Sequence, residues 1–230
     1  MFLGHYGLAL AAKRAAPRTS LGALTFAAQF LDELWPILLL LGVEQVRIVP
    51  GLMAASPLDF VYYPFSHSLL MAIVYGIVIG GAYFRLSRYG RGAWAMGLLV
   101  VSHWFLDVPM HRADLPLWPG ASSPKIGLGL WAFAVPTRVI ELTIFAVGIS
   151  LYFRATRPRD RIGTWSLWIY VTVLAIIFLA SGGSPPPSVR ALAWTTLAIW
   201  LFVPWAWWID KHRYYVGRID VPITHVSSPS

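Results

Sequence analysis

The sequence predicts an all-α protein, a polytopic transmembrane helical bundle with six full spans and a short N-terminal membrane helix. Of its 230 residues, 57% are hydrophobic and only 12% are charged, a composition typical of integral membrane proteins. Several apolar runs reach the roughly 20 residues that a helix needs to cross the hydrocarbon core. The basic residues cluster on alternate connectors between these runs, which is typical of a multi-pass protein.

Turn-forming residues divide the apolar runs into separate helices. A short helix is expected at 2–16, and the six full spans at 20–42, 62–84, 92–109, 136–153, 163–180 and 189–209. Proline and glycine mark the connectors, most clearly in "SGGSPPPS" at 181–188. We therefore expect one transmembrane domain over residues 1–210, followed by a cytoplasmic tail at 211–230. Residues 1–120 form its more polar half, and the helices of 130–210 support them.

The basic clusters also predict the orientation of the chain. They are Lys13, Arg14 and Arg18; Arg85, Arg88 and Arg91; Arg154, Arg157, Arg159 and Arg161; and Lys211, Arg213 and Arg218. The positive-inside rule places all four clusters, and with them the C-terminus, in the cytoplasm. Because the net charge of +8 is distributed in this way, it indicates membrane lipids and not nucleic acid as partners. The oligomeric state is left open.

Ionisable residues inside the spans fall at similar depths. Along a helix, His103 lies about 18 Å and Asp107 about 24 Å from the cytoplasmic Arg91, and Asp32 lies about 21 Å from Arg18. His67, Glu141 and His5 come to roughly 27, 20 and 12 Å from their own cytoplasmic arginine or lysine. All but His5 reach the outer half of a membrane about 30 Å thick. Buried ionisable groups are costly without partners, so this agreement predicts that they converge.

The convergence favours a metal site. His103 and Asp107 are four residues apart and share one helix face. The chain has no cysteine, so histidines and carboxylates must supply the ligands. Asp32 and Glu33 point about 100° apart, so that if one of them binds metal the other could act as a base. The competing interpretation is that each histidine makes an ordinary hydrogen bond between helices.

Other polar residues allow two interpretations each. Glu141 either accepts a hydrogen bond inside the bundle or belongs to the site. His111, Arg112 and Asp114 follow the fourth helix, where they either anchor the chain at the interface or contact a substrate head group.

Four fragments carry a family resemblance: "GHYGLAL" at 4–10, "FLDELWP" at 30–36, "PFSHSLL" at 64–70 and "SHWFLDVPMHRADLPLWP" at 102–119. They resemble the motifs of the bacterial inner-membrane family of metal-dependent hydrolases, which is itself similar to the helical metal core of zinc-dependent phospholipase C. The resemblance covers about residues 1–120. Ser66 stands where the family usually has threonine, and "LDEL" stands in place of a PDxD-like stretch.

The resemblance implies a ligand set and a reaction. The metal ligands would be His5, Asp32, His67, His103 and Asp107, holding one or two Zn²⁺ ions or another divalent metal. A bound metal ion would lower the pKa of water toward about 7 and polarise a phosphoryl or acyl oxygen. Glu33 and Asp107 would take the catalytic roles, and His111, Arg112 and Lys125 would bind the head group of a lipid or other amphipathic phosphoester or amide. Glu141 is a possible additional polar residue of the site.

Three rival functions use the same residues. A transporter could pass a metal ion or proton through the His/Asp cluster, although no pair of interrupted helices repeats in the two halves of the sequence. A non-catalytic protein could use a buried metal to hold the bundle together. A non-haem iron oxidase is a further alternative, but membrane desaturases carry more histidines than this site offers.

Overall fold

The computed structural model describes residues 1–181 and 184–216. Nine α-helices account for most of this part of the chain: α1 Leu3–Ala15, α2 Leu21–Leu40, α3 Pro64–His67, α4 Leu69–Ser87, α5 Gly90–Asp107, α6 Ala134–Ala155, α7 Arg161–Ala180, α8 Val189–Leu197 and α9 Phe202–Lys211. Six short strands form three two-stranded antiparallel sheets: β1 Gln45–Ile48 with β2 Leu58–Tyr62, β3 Leu115–Pro116 with β4 Lys125–Ile126, and β5 Thr156–Pro158 with β6 Arg213–Tyr215. The prediction of an all-α protein is confirmed.

Five helical segments are long and apolar enough to cross a membrane. They are α2, α4, α6, α7 and the segment Val189–Lys211, in which a short 3₁₀ turn joins α8 to α9. Helix α5 covers the predicted span 92–109, but it is not among the five. Its last turns carry Ser102, His103 and Asp107, and these polar residues lower its hydropathy. The count of six full spans therefore remains a prediction.

The predicted span at 62–84 is wrong at its beginning. Residue 62 ends β2, and the short helix α3 begins at Pro64, whose fixed φ suits a first helical turn. Ser68 then adopts an extended conformation, and its hydroxyl accepts a hydrogen bond from the backbone N–H of Met71, which starts α4. His67 thus precedes the membrane helix instead of lying on it, so the depth counted along one continuous helix does not apply.

Residues 213–215 of the predicted cytoplasmic tail form strand β6 against β5. Arg213 is buried, and its guanidinium donates hydrogen bonds to the Thr156 hydroxyl and to the Gly163 carbonyl. Burial lowers the pKa of this arginine. The remainder of the predicted tail, 217–230, lies outside the described residues.

Close helix approaches assemble the bundle around α2, which contacts α1, α5, α8 and α9. Helix α1 packs along α6 where Gly7 faces Gly148, and a Cβ on Gly7 would lie 2.7 Å from the carbonyl oxygen of Ile144. Helices α4 and α5 meet in the same way at Gly76 and Gly97. These contacts bring the N-terminal end of α1 and the C-terminal halves of α2 and α5 together, close to α3.

Candidate metal centre

Four elements direct five ionisable side chains to one point inside the bundle. His5 comes from α1, Asp32 from α2, His67 from α3, and His103 and Asp107 from α5. The three imidazoles and the Asp107 carboxylate are buried, whereas Asp32 is partly exposed. The structure thus brings together all five residues that the resemblance implies as ligands.

The ligand atoms of Asp32, His67 and His103 have the spacing of a metal site, since all of them lie within 4.8 Å of one another, and Asp107 adjoins two of them. Asp32 Oδ1 lies 3.3 Å from His67 Nε2 and 3.7 Å from His103 Nε2. Asp107 Oδ2 lies 3.3 Å from His103 Nε2 and 3.9 Å from His67 Nε2. Metal–ligand bonds of about 2.0–2.1 Å in a tetrahedron place neighbouring ligand atoms about 3.3 Å apart. Asp32, His67 and His103 could therefore hold one divalent ion, which Asp107 could join after a small movement.

His103 is oriented for ligation. Its Nδ1 lies 2.7 Å from the backbone carbonyl oxygen of Ala28, so Nδ1 carries the proton and donates it. Its Nε2 is fully buried and has no hydrogen-bond partner. A buried imidazole nitrogen without a partner is costly, and its position between Asp32 and Asp107 fits a lone pair directed at a cation.

His67 is oriented by a residue that the sequence analysis missed. Its Nδ1 lies 2.7 Å from Ser66 Oγ, and that hydroxyl donates a 2.6 Å hydrogen bond to Glu44. Glu44 also accepts from the backbone N–H groups of Phe65 and Ser66. Burial raises the pKa of Glu44, and these three donors oppose that effect. Because the Ser66 hydroxyl donates its proton to Glu44, His67 must donate from Nδ1, which leaves the Nε2 lone pair for a metal.

This relay gives a prediction for Glu44. Replacement of Glu44 by glutamine should weaken metal binding by about 10- to 100-fold. The glutamine amide can donate to Ser66, the Ser66 hydroxyl can then donate to His67 Nδ1, and the ring proton can move to Nε2, where it blocks the metal. The measurement is the metal dissociation constant of the purified protein by competition with a chelator. Asp59→Asn is the matched control, since Asp59 lies on strand β2 next to α3 and pairs with Arg47 and Arg112 instead of Ser66. Equal affinity in wild type and E44Q would contradict the relay.

His5 reaches the cluster from the other side of Asp107. Its Nε2 lies 3.2 Å from Asp107 Oδ1, and its ring stacks on His103 with centroids 3.6 Å apart. The amino group of Met1 contacts the same Oδ1 atom. His5, His103 and Asp107 form a second group whose ligand atoms all lie within 4.8 Å of one another. The geometry thus accommodates His5 either as a ligand of a second ion or as a group that orients Asp107.

A cavity of about 580 Å³ opens from the cluster. Asp32, His67 and Asp107 line its inner end. The remaining wall contains polar side chains, among them His111, Thr137, Arg138 and Glu141, together with several serines and further threonines. Apolar and proline side chains come from the loop before β2, from α7 and from the segment leading into α8. Asp32, His67 and Asp107 therefore border a space large enough for a molecule bigger than water, whereas His5 and His103 lie behind them.

Glu33, the predicted base, does not reach this cavity. Its side chain is completely buried, neither of its carboxylate oxygens has a hydrogen-bond partner, and it is absent from the cavity wall. The 100° between successive residues of α2 turns Glu33 away when Asp32 faces the cluster. This placement is a correction to the role predicted for Glu33. Glu141 does line the cavity, and it accepts hydrogen bonds from the backbone N–H groups of Phe2 and Leu3.

The three predicted head-group residues occupy different places. His111 is buried on the cavity wall, and its Nδ1 lies 2.9 Å from Asp114. Burial lowers the pKa of His111, so its imidazole is neutral near pH 7. Arg112 forms ion pairs with both Asp59 and Asp114, and Lys125 is exposed on strand β4. Neither Arg112 nor Lys125 lines the cavity.

Together, these features define an all-helical protein with five helices suited to a membrane and a buried His/Asp group that could hold a metal ion. Comparison of the chain with protein-family models, curated proteins and solved structures gives no match. The functional argument therefore depends on the site itself.

Proposed function

We propose that this chain is a metal-dependent hydrolase of the bacterial inner membrane that acts on a lipid or another amphipathic phosphoester or amide. In this proposal six helices cross the membrane, the C-terminus is cytoplasmic and the site lies in the outer half of the bilayer. One observation carries the proposal: the ligand atoms of Asp32, His67 and His103 all lie within 4.8 Å of one another, Asp107 lies beside two of them, and the group borders an open cavity.

In the proposed reaction, one set of residues binds the metal and another residue accepts a proton. Asp32, His67, His103 and Asp107 would hold Zn²⁺, which, when bound, lowers the pKa of water and polarises the substrate oxygen. His111 is the cavity-wall group suited to accept a proton. Its Nδ1–H donates to Asp114, which also accepts from the Tyr63 hydroxyl at 2.9 Å, so that the lone pair is on Nε2. A carboxylate that orients a neutral imidazole in this way is a common arrangement for a general base.

Metal removal and restoration test the proposal. Gently purified protein should contain about one or two divalent ions per chain, by elemental analysis. It should also hydrolyse at least one substrate in a panel of amphipathic phosphoesters and amides. Treatment with a chelator should abolish turnover, and Zn²⁺ should restore it. Bound metal without turnover on any substrate, with thermal stability lost on chelation, would instead support a metal-stabilised, non-catalytic protein.

A transporter is the second candidate, because polar groups continue from the cluster into the bundle. Gln29 and Glu33 lie four residues apart on α2, and Tyr6 and Tyr170 approach from α1 and α7 with ring centroids 6.3 Å apart. The side-chain polar groups of all four are buried without a hydrogen-bond partner. Such groups are typical of a hydrated path. Metal or proton flux in proteoliposomes that requires Glu33 would favour transport over hydrolysis.

A further inference from the structure

The cavity wall has a single arginine or lysine among the described residues, and it is Arg138. This residue lies in the second turn of α6, one turn before Glu141. Its side chain is exposed, and none of the ion pairs among the described residues includes it. A guanidinium of this kind is free to bind an anion that enters the cavity.

Other cations on the same side of the molecule do not compete for this role. Arg112 is neutralised by Asp59 and Asp114, and its guanidinium is outside the cavity. Lys125 is exposed on strand β4, also outside the cavity. The head-group role expected for these two residues is therefore better supplied by Arg138.

The rest of the wall suits an apolar chain. Ile177 and Phe178 come from the end of α7, and Leu192 and Ile199 come from α8 and the turn that follows it. Trp131 and Phe60 cover the cavity from the side of the loops. The wall of the cavity thus combines residues of the His/Asp cluster, an arginine without an ion-pair partner in the described part of the chain, and an apolar surface. This distribution matches a molecule with an anionic head and a hydrocarbon tail.

We propose that Arg138 recognises the phosphate-type head group of an amphipathic anion in this cavity. The guanidinium fork fits two oxygens of a phosphate group, and the apolar wall would bury the adjoining chain. Three carboxylates also line the cavity, namely Asp32, Asp107 and Glu141. Their repulsion should make anion binding depend on a metal in the cluster as well as on Arg138. The inference thus rests on the proposed function and names its substrate class.

The test measures binding without turnover. Dodecylphosphonate, which has no ester bond to hydrolyse, is titrated into the Zn²⁺-loaded protein in a neutral detergent, after the metal content of each variant has been measured. Arg138→Gln should retain its metal and lose about 10- to 100-fold in affinity, the effect expected for a charge-assisted hydrogen-bond pair. Arg138→Lys should lose less, because it keeps the charge but not the fork.

Arg190→Gln is the matched control. Arg190 is an exposed arginine beside the cavity-lining residues Ala191 and Leu192, but it does not line the cavity itself. Replacement of Arg190 changes the net charge by the same amount and should leave the affinity within about twofold, since an exposed charge outside the cavity is screened and makes no hydrogen bond to the ligand.

The outcomes separate the inference from the proposed function. Equal affinities of wild type and R138Q at equal metal content, or equal losses in R138Q and R190Q, would overturn the role of Arg138. Methylphosphonate that binds as tightly as dodecylphosphonate would overturn the amphipathic part and indicate a free anion. If the purified wild-type protein bound no metal, the proposed hydrolase would be contradicted. If that metal-free protein still bound dodecylphosphonate more tightly than R138Q does, anion recognition by Arg138 would still be supported.

Discussion

Replacement of His103 by alanine is expected to remove the metal ion from the purified protein. His103 Nε2 is the ligand atom common to both potential metal groups, and it lies within 3.7 Å of Asp32 and Asp107. Without this imidazole, the two acidic groups would face each other across a buried space with one neutral ligand fewer. We expect a metal content near zero after dialysis and the loss of any hydrolytic activity.

His212→Ala provides the control for this experiment. His212 also lies beside a carboxylate, with its Nδ1 2.7 Å from Asp160, but it follows α9 and does not belong to the cluster. Its removal should leave the metal content unchanged. Wild-type metal stoichiometry in H103A would exclude His103 as a ligand, and an equal loss in both variants would indicate a general effect on folding.

Gly148→Val is expected to have the largest effect on stability. A Cβ at position 148 would overlap the backbone of Gly7, so α1 and α6 could not keep their present distance. Backbone atoms cannot yield as a flexible side chain can, and the expected cost is about 3 kcal/mol or more. Separation of the helices would also move His5 and break the hydrogen bonds from Phe2 and Leu3 to Glu141. Thermal unfolding in detergent should show a lower Tm, and the metal affinity should fall with it.

The same substitution at Gly81 tests whether the effect arises from helix packing. Gly81 lies within α4, and a Cβ there would meet no atom within 4 Å. Gly81→Val should therefore change the free energy of unfolding by no more than about 0.5 kcal/mol. A Gly148→Val protein with wild-type Tm and metal content would show that α1 and α6 tolerate greater separation than their contact suggests.

The residues of the cluster could be predicted from the sequence where each is an ionisable residue within an apolar run. His103 and Asp107 are polar residues in an apolar helix, and their spacing fixes them on one face. Asp32 shares this property on α2. His67 was correctly predicted to belong to the cluster, but it was placed on a continuous helix over 62–84. The break at Ser68 depends on a capping hydrogen bond that composition does not reveal.

Two contributions escaped the sequence analysis for physical reasons. Glu44 lies 22 residues before Ser66 and reaches it only because the β1–β2 hairpin folds back. In the sequence, Glu44 is only an acidic residue at the start of a connector between two apolar runs. Such a residue by itself predicts no more than solvent exposure. Arg138 is a charged residue near the start of the predicted span 136–153, and its lack of an ion-pair partner among the described residues becomes evident only in the assembled cavity.

The sequence by itself determined that the chain is helical, that several helices suit a membrane and that its few intramembrane ionisable groups need one another. Hydrophobic length and the cost of isolated buried charge act locally, so they can be read along the chain. Only the packed helices show that Glu33 points away from the cavity, and that Glu44 and Arg138 belong to the surroundings of the cluster. Those choices follow from the rotation and close approach of packed helices, which depend on contacts between residues far apart in sequence.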